Sequence, residues 1–408
     1  MAANEDQAGA AVRYAETVRQ ATGQAPRLSL RSGGHGLNAS SVNDGGIVLD
    51  VSQLKRLRFE DEAAGLLWVQ AGATWGDVAG FLTPHDMVLT SGNFGDTGVG
   101  GLSNAGGVGY FVRADGLTID RLRAVRLIGA DGRVRLVDAE ADPELFWGVR
   151  GGGSQLGLVT DYLFQASRLG TQRGDASVVL QRASYQAADL GGFMAAWGDL
   201  MRSAPREFTS FLRVQAIGGG RHVVQATNVW KGDDTERALP VLEAAAGLAP
   251  LAGHTAHLLS YPEMVPTPRQ AHYGQQQLRM RDGLVDVVDA NLGAAVAESL
   301  SRPSAVLYEI RFLGGAVADV PSDATAWAGR SQEALAVLWT EPLGEAAQDD
   351  AFAPVRALSS GAYGAYASDL RPEFAEFVWP GPTGERLRRL AQRQDPHQLF
   401  NQGLRLAR

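Results

Sequence analysis

The segment RSGGHG, residues 31–36, puts two glycines and a histidine directly after a short apolar strand, Leu28 to Leu30. The chain leaves a sheet there with no side chains to bar a ligand, and successive backbone N–H groups can form an anion nest for a pyrophosphate. Taken alone, the same residues also describe an ordinary turn with an exposed histidine. A second stretch, SGNFGDTGVGGLSNAGGVGYF at 91–111, alternates glycine with hydroxyl and amide side chains. It cannot be a regular helix or sheet interior, because each glycine there costs about 1 kcal/mol relative to alanine. It reads either as a flexible loop or as backbone brought close to a ligand, and long loops inside compact domains are usually functional. A third glycine cluster follows at 151–157. No GxGxxG stands in Rossmann context, no GxSxG supports a hydrolase, and no GKS or GKT supports a phosphate-binding loop.

Composition narrows the chemistry. The 408 residues contain no cysteine, which excludes disulfides, thiolate metal sites and cysteine nucleophiles and leaves seven histidines as nitrogen ligands or imidazole bases. His254 and His257 stand three apart without nearby acids, so no metal site is expected. A net charge of −8 with scattered lysine and arginine argues against a nucleic-acid partner and for a small molecule. No apolar run is long enough to cross a bilayer, and the polar Met1 to Gln7 is not a secretion signal, so the expected location is cytoplasmic. The sequence does not specify an oligomeric state.

The elements that must position these residues alternate from the outset. Residues 8–22 read as a helix with Val12, Ala15 and Val18 on one face and Gly23 as its stop. Strands follow at 28–30, 45–51 and 66–70, then a helix from near Thr74. ADGR at 130–133 carries the Asp-Gly signature of a two-residue hairpin, and Asp142-Pro143-Glu144 opens a helix. Past residue 170 long strands at 208–216 and 222–230 flank a triple-glycine turn, with helical stretches near 186–202, 234–247 and 284–300. Strands 305–313 and 334–340 are expected to close this second, antiparallel sheet. The division expected is 1–168, 169–348 and a tail, 349–408, that returns to the first part with a helix at 385–393.

Four ordered motifs, RSGGHG, NDGGIVLDVSQL, GVGGLSNAGGVGYFVRADGLTIDRL and DPELFWGVRGGGSQLGLVT, resemble the FAD-linked oxidases of the berberine-bridge and 6-hydroxynicotine oxidase type. The likeness is strong over 8–165 and weaker over 304–402, where AYGAYASD and DPHQLFNQ resemble that family's closing segment. It implies an α+β, two-domain fold: a PCMH-type FAD-binding domain and a substrate domain of antiparallel sheet flanked by helices. The substrate implied is a small alcohol, amine, alkaloid or sugar, with dioxygen as electron acceptor. Two alternatives share the scaffold: a flavin-dependent oxygenase or oxidative cyclase of polyketides, and a non-catalytic binding module. Relatives usually begin with a further strand and loop before the first helix; none is expected ahead of the helix at 8–22 here, so the start is truncated, the pocket is completed differently, or cofactor affinity has suffered.

The resemblance also assigns residues. His35 matches the histidine that relatives bond to the flavin 8α-methyl, which would place an electron-withdrawing imidazole on the ring. The second, cysteinyl tether of some members falls in a loop that here reads Phe94, Gly95, Asp96, so only a single bond is possible. Cofactor contacts are expected from Arg31, Ser32, Gly33, Gly34, His35 and Gly36, and from Ser91, Gly92, Gly95, Asp96, Gly100, Gly101, Ser103, Asn104, Gly106 and Gly109. Gly157, Val159 and Asn401 complete the set. In SAVLYEIRFL, strand alternation puts Leu307, Glu309 and Arg311 on one face. Glu309 is the candidate for the active-site carboxylate, against the plainer reading of a surface pair with Arg311. Tyr363 and Tyr366 keep the family's Tyr-x-x-Tyr spacing, although Ala365 replaces the usual asparagine between them. They are candidate catalytic phenols, or simply core tyrosines.

Overall fold

The computed structural model describes residues 1–267 and 277–407. The first helix spans Glu5–Thr22, capped by the Asn4 side chain and stopped by Gly23 at φ 75°, the left-handed conformation that glycine adopts without strain. Strands follow as β1 (Leu28–Arg31), β2 (Ile47–Asp50), β3 (Leu57–Asp61), β4 (Leu66–Gln70), β5 (Met87–Val88), β6 (Leu122–Ile128), β7 (Val134–Asp138), β8 (Leu158–Gln165) and β9 (Ser167–Arg168). β1 and β2 pair in parallel, and β3-β4-β8-β6-β7 form an antiparallel sheet in that order. Helix Trp75–Leu82 is held at its start by a Thr74–Asp77 capping box. The expected two-residue hairpin at 130–133 is instead a longer loop: Ile128 pairs with Val134, and Gly129 N–H donates to Arg133 O.

The second sheet contains β10 (Val178–Ala187), β11 (Phe208–Ala216), β12 (His222–Trp230), β13 (Leu251–Leu259), β14 (Arg279–Val285), β15 (Ala305–Phe312), β16 (Ala334–Thr340) and β17 (Ser359–Gly361). Among the described residues their order is β13-β10-β12-β11-β15-β16-β14-β17. β15 and β16 therefore lie at its centre rather than closing its edge, and residues 279–285 are strand, so the helix expected from 284 begins only at Ala290. The tail also divides: β17 joins this sheet, whereas Leu387, Leu390 and Phe400 are buried in the core of the first part.

Alternation along the central strands gives the second sheet two different faces. Tyr308, Ile310 and Phe312 pack with Trp197, Leu292 and Phe352 from helices Leu190–Ser203, Ala290–Leu300 and Glu345–Arg356. Each such buried side chain contributes about 1.5–3 kcal/mol. The opposite face, with Phe211, Met280, Leu335 and Val337, packs on Val108, Val112 and Leu117, which follow the second glycine stretch. Glu309 and Arg311 project on this inner face, between the two sheets, in register with Arg213 and Phe211 of β11.

Candidate active site

A cavity of about 730 Å³ runs between the glycine-rich loops and the inner face of the second sheet. That is an ordinary size for a cofactor or small-molecule site. Its floor begins where β1 ends. Ser32 Oγ donates to Ala71 O at 2.6 Å, and Gly33 lies against Gly98 so closely that a Cβ on Gly33 would sit 2.4 Å from the Gly98 nitrogen. Glycine is required at that crossing because two backbones touch. Gly34, at φ 70°, turns the chain back toward the Arg31 guanidinium. His35 follows on the cavity wall, its Nε2 3.2 Å from Asp96 Oδ1 and its ring stacked on Phe94 at 6.2 Å.

Two features of the floor suit a bound dinucleotide. A Cβ built on Gly101 meets nothing within 4 Å, and one on Gly36 meets only the Asn38 side chain at 3.7 Å; both glycines line the cavity. They leave backbone bare to a ligand. Asn93 also lines it, and its buried Oδ1 has no hydrogen-bond partner among the described residues. An acceptor buried without a donor is costly, which favours a ligand hydroxyl or N–H there. FAD, rich in both, fits this donor and acceptor set.

The roof is an electrostatic cluster. Arg311 is fully buried, donates Nη1 to Val108 O at 2.8 Å and Nη2 to Glu309 Oε1 at 3.3 Å, and sits 4.5 Å from the Tyr366 ring centroid. Glu309 pairs with Arg311, as the plainer reading has it, but lines the cavity rather than the outer surface, so it stays a candidate for the active-site carboxylate. Burial pushes the Tyr366 phenol up to about 12 against the opposing pull of Arg311, so it is a neutral donor at physiological pH. Tyr363 is buried between Trp327 and Tyr366, and its hydroxyl oxygen accepts from Gly107 N–H at 2.9 Å. Its backbone N–H donates to Asp282 Oδ1 at 2.6 Å. Burial raises Asp282 well above the ordinary carboxyl range, against the pull of the Tyr363 N–H that it accepts.

Of the residues singled out in sequence, the cavity wall contains Arg31, Ser32, Gly33, Gly34, His35, Gly36, Gly92, Gly100, Gly101, Asn104, Val159, Glu309, Tyr363 and Tyr366. The others stand behind it. Asp96 reaches the site through His35. Gly95 N–H donates to Pro266 O, and Gly109 packs on the Ser91 carbonyl. A Cβ on Gly106 would strike the Trp327 ring at 2.7 Å, and one on Gly157 would strike Ile128 O at the same distance. Ser103 is fully buried. Asn401 accepts from Leu28 N–H and donates to Pro26 O, fastening the start of β1 instead of touching the cavity. Sequence reasoning passed over Tyr162, whose hydroxyl lies within hydrogen-bond distance of both Gly100 O and Asn104 Oδ1, and Arg213 and Trp339 on the roof. The alternation of FTSFLRVQA carried a signal for Arg213, since it shares a face with Phe211. Among the described residues no cluster of three histidine, aspartate or glutamate side chains could hold a metal, and no helix is long and apolar enough to cross a membrane.

Residues 3–138 match the FAD binding domain family. The (R)-6-hydroxynicotine oxidase of Paenarthrobacter nicotinovorans is 34% identical over 155 residues, 38% of this chain and 34% of that protein. The first three curated relatives are matched over 29%, 34% and 64% of their own lengths. The crystal structure of 6-hydroxy-D-nicotine oxidase from Arthrobacter nicotinovorans superposes with a TM-score of 0.83 at 21% identity, covering 99% of this chain and 90% of that one. Glucooligosaccharide oxidase from Acremonium strictum, described as holding a 6-S-cysteinyl, 8α-N1-histidyl FAD, gives 0.83 at 19% identity, over 100% and 91%.

Proposed function

From a chain whose first third belongs to the FAD binding domain family and whose whole length takes the fold of the flavin oxidases, we propose an FAD-dependent oxidase of small organic molecules. The reaction is removal of hydride from a carbon bearing a hydroxyl or amine, with dioxygen taking the electrons to give hydrogen peroxide. The observation that carries this reading is that one cavity joins the bare backbone at Gly36 and Gly101 to the carboxylate and phenol of Glu309 and Tyr366.

The loops 31–36 and 92–104 would hold the dinucleotide through backbone groups, and His35 would tether it. With Nε2 directed at the Asp96 carboxylate, the ring proton belongs on Nε2 and the lone pair on Nδ1, which is then the bonding atom. When bound, the flavin supplies a hydride acceptor that dioxygen can reoxidise. Glu309 takes the hydroxyl or amine proton as the C–H bond breaks and the C=O or C=N bond forms. Arg311, held by Val108 O, orients that carboxylate. Tyr366, neutral, donates a hydrogen bond and is not the base.

Acid precipitation of the purified holoprotein tests the cofactor and its tether together. Yellow colour should stay with the pellet, and His35→Ala should release it as free FAD while the fold persists. Release of all the colour from the wild type rejects the tether, and a protein that stays colourless with added FAD rejects the flavoenzyme. Peroxide appearing in step with substrate oxidation tests the role of dioxygen.

A further inference from the structure

The roof carries more positive charge than its carboxylate can balance. Arg182, Arg213 and Arg311 all lie on the inner face of the second sheet, because Arg213 pairs with Glu309, Phe211 pairs with Arg311, and Arg182 reaches the same face through Thr227. Glu309 stands in the same cross-strand row as Arg213, with the fully buried Asp282 beyond it across Val337, and Glu309 pairs with the buried Arg311 at 3.3 Å. Arg213 stands directly across the strand pair from Glu309, lines the cavity, and is exposed at its mouth. Neither Arg213 nor Arg182 has an acidic side chain within salt-bridge distance among the described residues, although the whole chain carries a net charge of −8. Both are close enough to Tyr110, on the floor side, to act electrostatically on its buried phenol.

A second, uncharged group asks for the same kind of ligand. Trp339 lines the cavity one row from Glu309, pairing with Leu307 across β15 and β16, and its buried Nε1–H has no acceptor among the described residues. A buried indole N–H normally finds a partner, so this donor also faces an acceptor that the ligand must bring.

We infer that the substrate carries an anionic group, a carboxylate, which Arg213 seats at the mouth of the cavity beside Glu309. This deepens the oxidase reading and rests on it for the word substrate. Arg182 adds to the attracting field, and Trp339 supplies a neutral donor to the same ligand. The arrangement favours a carboxylate-bearing alcohol or amine over a neutral or cationic one: the ion that Glu309 would attract is already supplied by Arg311, and a cation entering the mouth meets the Arg213 guanidinium, which has no acidic partner among the described residues.

Titration calorimetry of the holoprotein with benzoate and with its neutral isostere benzamide tests the site without the true substrate. Benzoate should bind about 10-fold or more tightly than benzamide, as expected for one charge-assisted hydrogen bond, and the ratio should shrink as salt is raised. Arg213→Gln should bring the ratio close to one, and Arg213→Lys should keep most of it. Equal binding of the two probes by the wild type, failure of both to bind, or a ratio unchanged in Arg213→Gln overturns the assignment. The flavin reading is scored separately by the colour of the preparation. A yellow protein indifferent to charge loses only the anion site, whereas a colourless one that still prefers benzoate loses only the flavin.

Discussion

Two ionisable groups on the roof are held in defined states by where they sit. Arg311 is buried yet remains cationic, because Tyr366, Glu309 and Tyr110 around it offset the desolvation that opposes its charge. Tyr366 is kept protonated by burial. Glu309 accepts from Arg311 and lines the cavity, and it is the group we propose as the base. Glu309→Gln should therefore slow flavin reduction by roughly 10²–10⁴-fold, the usual loss of a general base. Tyr366→Phe, which removes one donor and no base, should cost about 10-fold, in the range of a single hydrogen bond. Rapid mixing of the two half-reactions checks both, with reoxidation by dioxygen unchanged in each variant. If Tyr366→Phe proves the slower of the two, the assignments of donor and base are reversed.

At the scale of elements, the glycine clusters show why equal-looking residues play unequal parts. Gly101 lies on the short helix Val99–Ala105 with open space beyond it, whereas Gly106, at φ 150°, ends that helix against Trp327. Gly101→Val should leave the apoprotein's melting temperature almost unmoved and weaken FAD retention, since its side chain enters the cavity. Gly106→Ala should lower the melting temperature with or without FAD, because its Cβ meets a ring at 2.7 Å from a backbone that alanine resists. Thermal unfolding of both variants with and without added FAD decides it; equal losses for Gly101→Val in both conditions would make that glycine structural too. The sequence carried the glycine runs, their order and the inward face of Glu309, because these depend on local composition and a period of two. It did not carry which glycines face outward, nor that β11 sets Arg213 opposite Glu309 across nearly a hundred residues. Strand partners that distant are fixed by the packing of the whole sheet. Asn401 fails for the same reason: its partners Leu28 and Pro26 lie at the other end of the chain.

For the whole molecule, catalysis on this plan needs a roof and a floor that stay in register, although they belong to different sheets. The segment 113–120, between the second glycine stretch and β6, fastens them with buried charge. Arg113 donates to the carbonyls of Met201, Ala204, Pro205 and Phe208, Asp115 pairs with Lys231, and Asp120 takes both ends of the Arg330 guanidinium at 2.8 and 2.9 Å. Burial draws Arg113 down to about 10, still charged at neutral pH, so its four acceptors are met by a cation. Arg113→Met would fill a similar space but leave those carbonyls without their donor. The expected loss is about 3–5 kcal/mol, the range for breaking a buried charged contact, and it should fall on the junction rather than on either core. In the wild type, unfolding followed by flavin fluorescence and by tryptophan fluorescence should coincide, since Trp197 and Trp230 of the second sheet's core then melt with the floor. In Arg113→Met the flavin signal should separate from the tryptophan signal, and flavin reduction should slow while FAD is retained, because a misplacement of about 1 Å between donor carbon and acceptor is enough to cost roughly 10²-fold. Coincident transitions at an unchanged midpoint would show that the apolar contacts of Val108, Val112 and Leu117 hold the two sheets together without the buried charges.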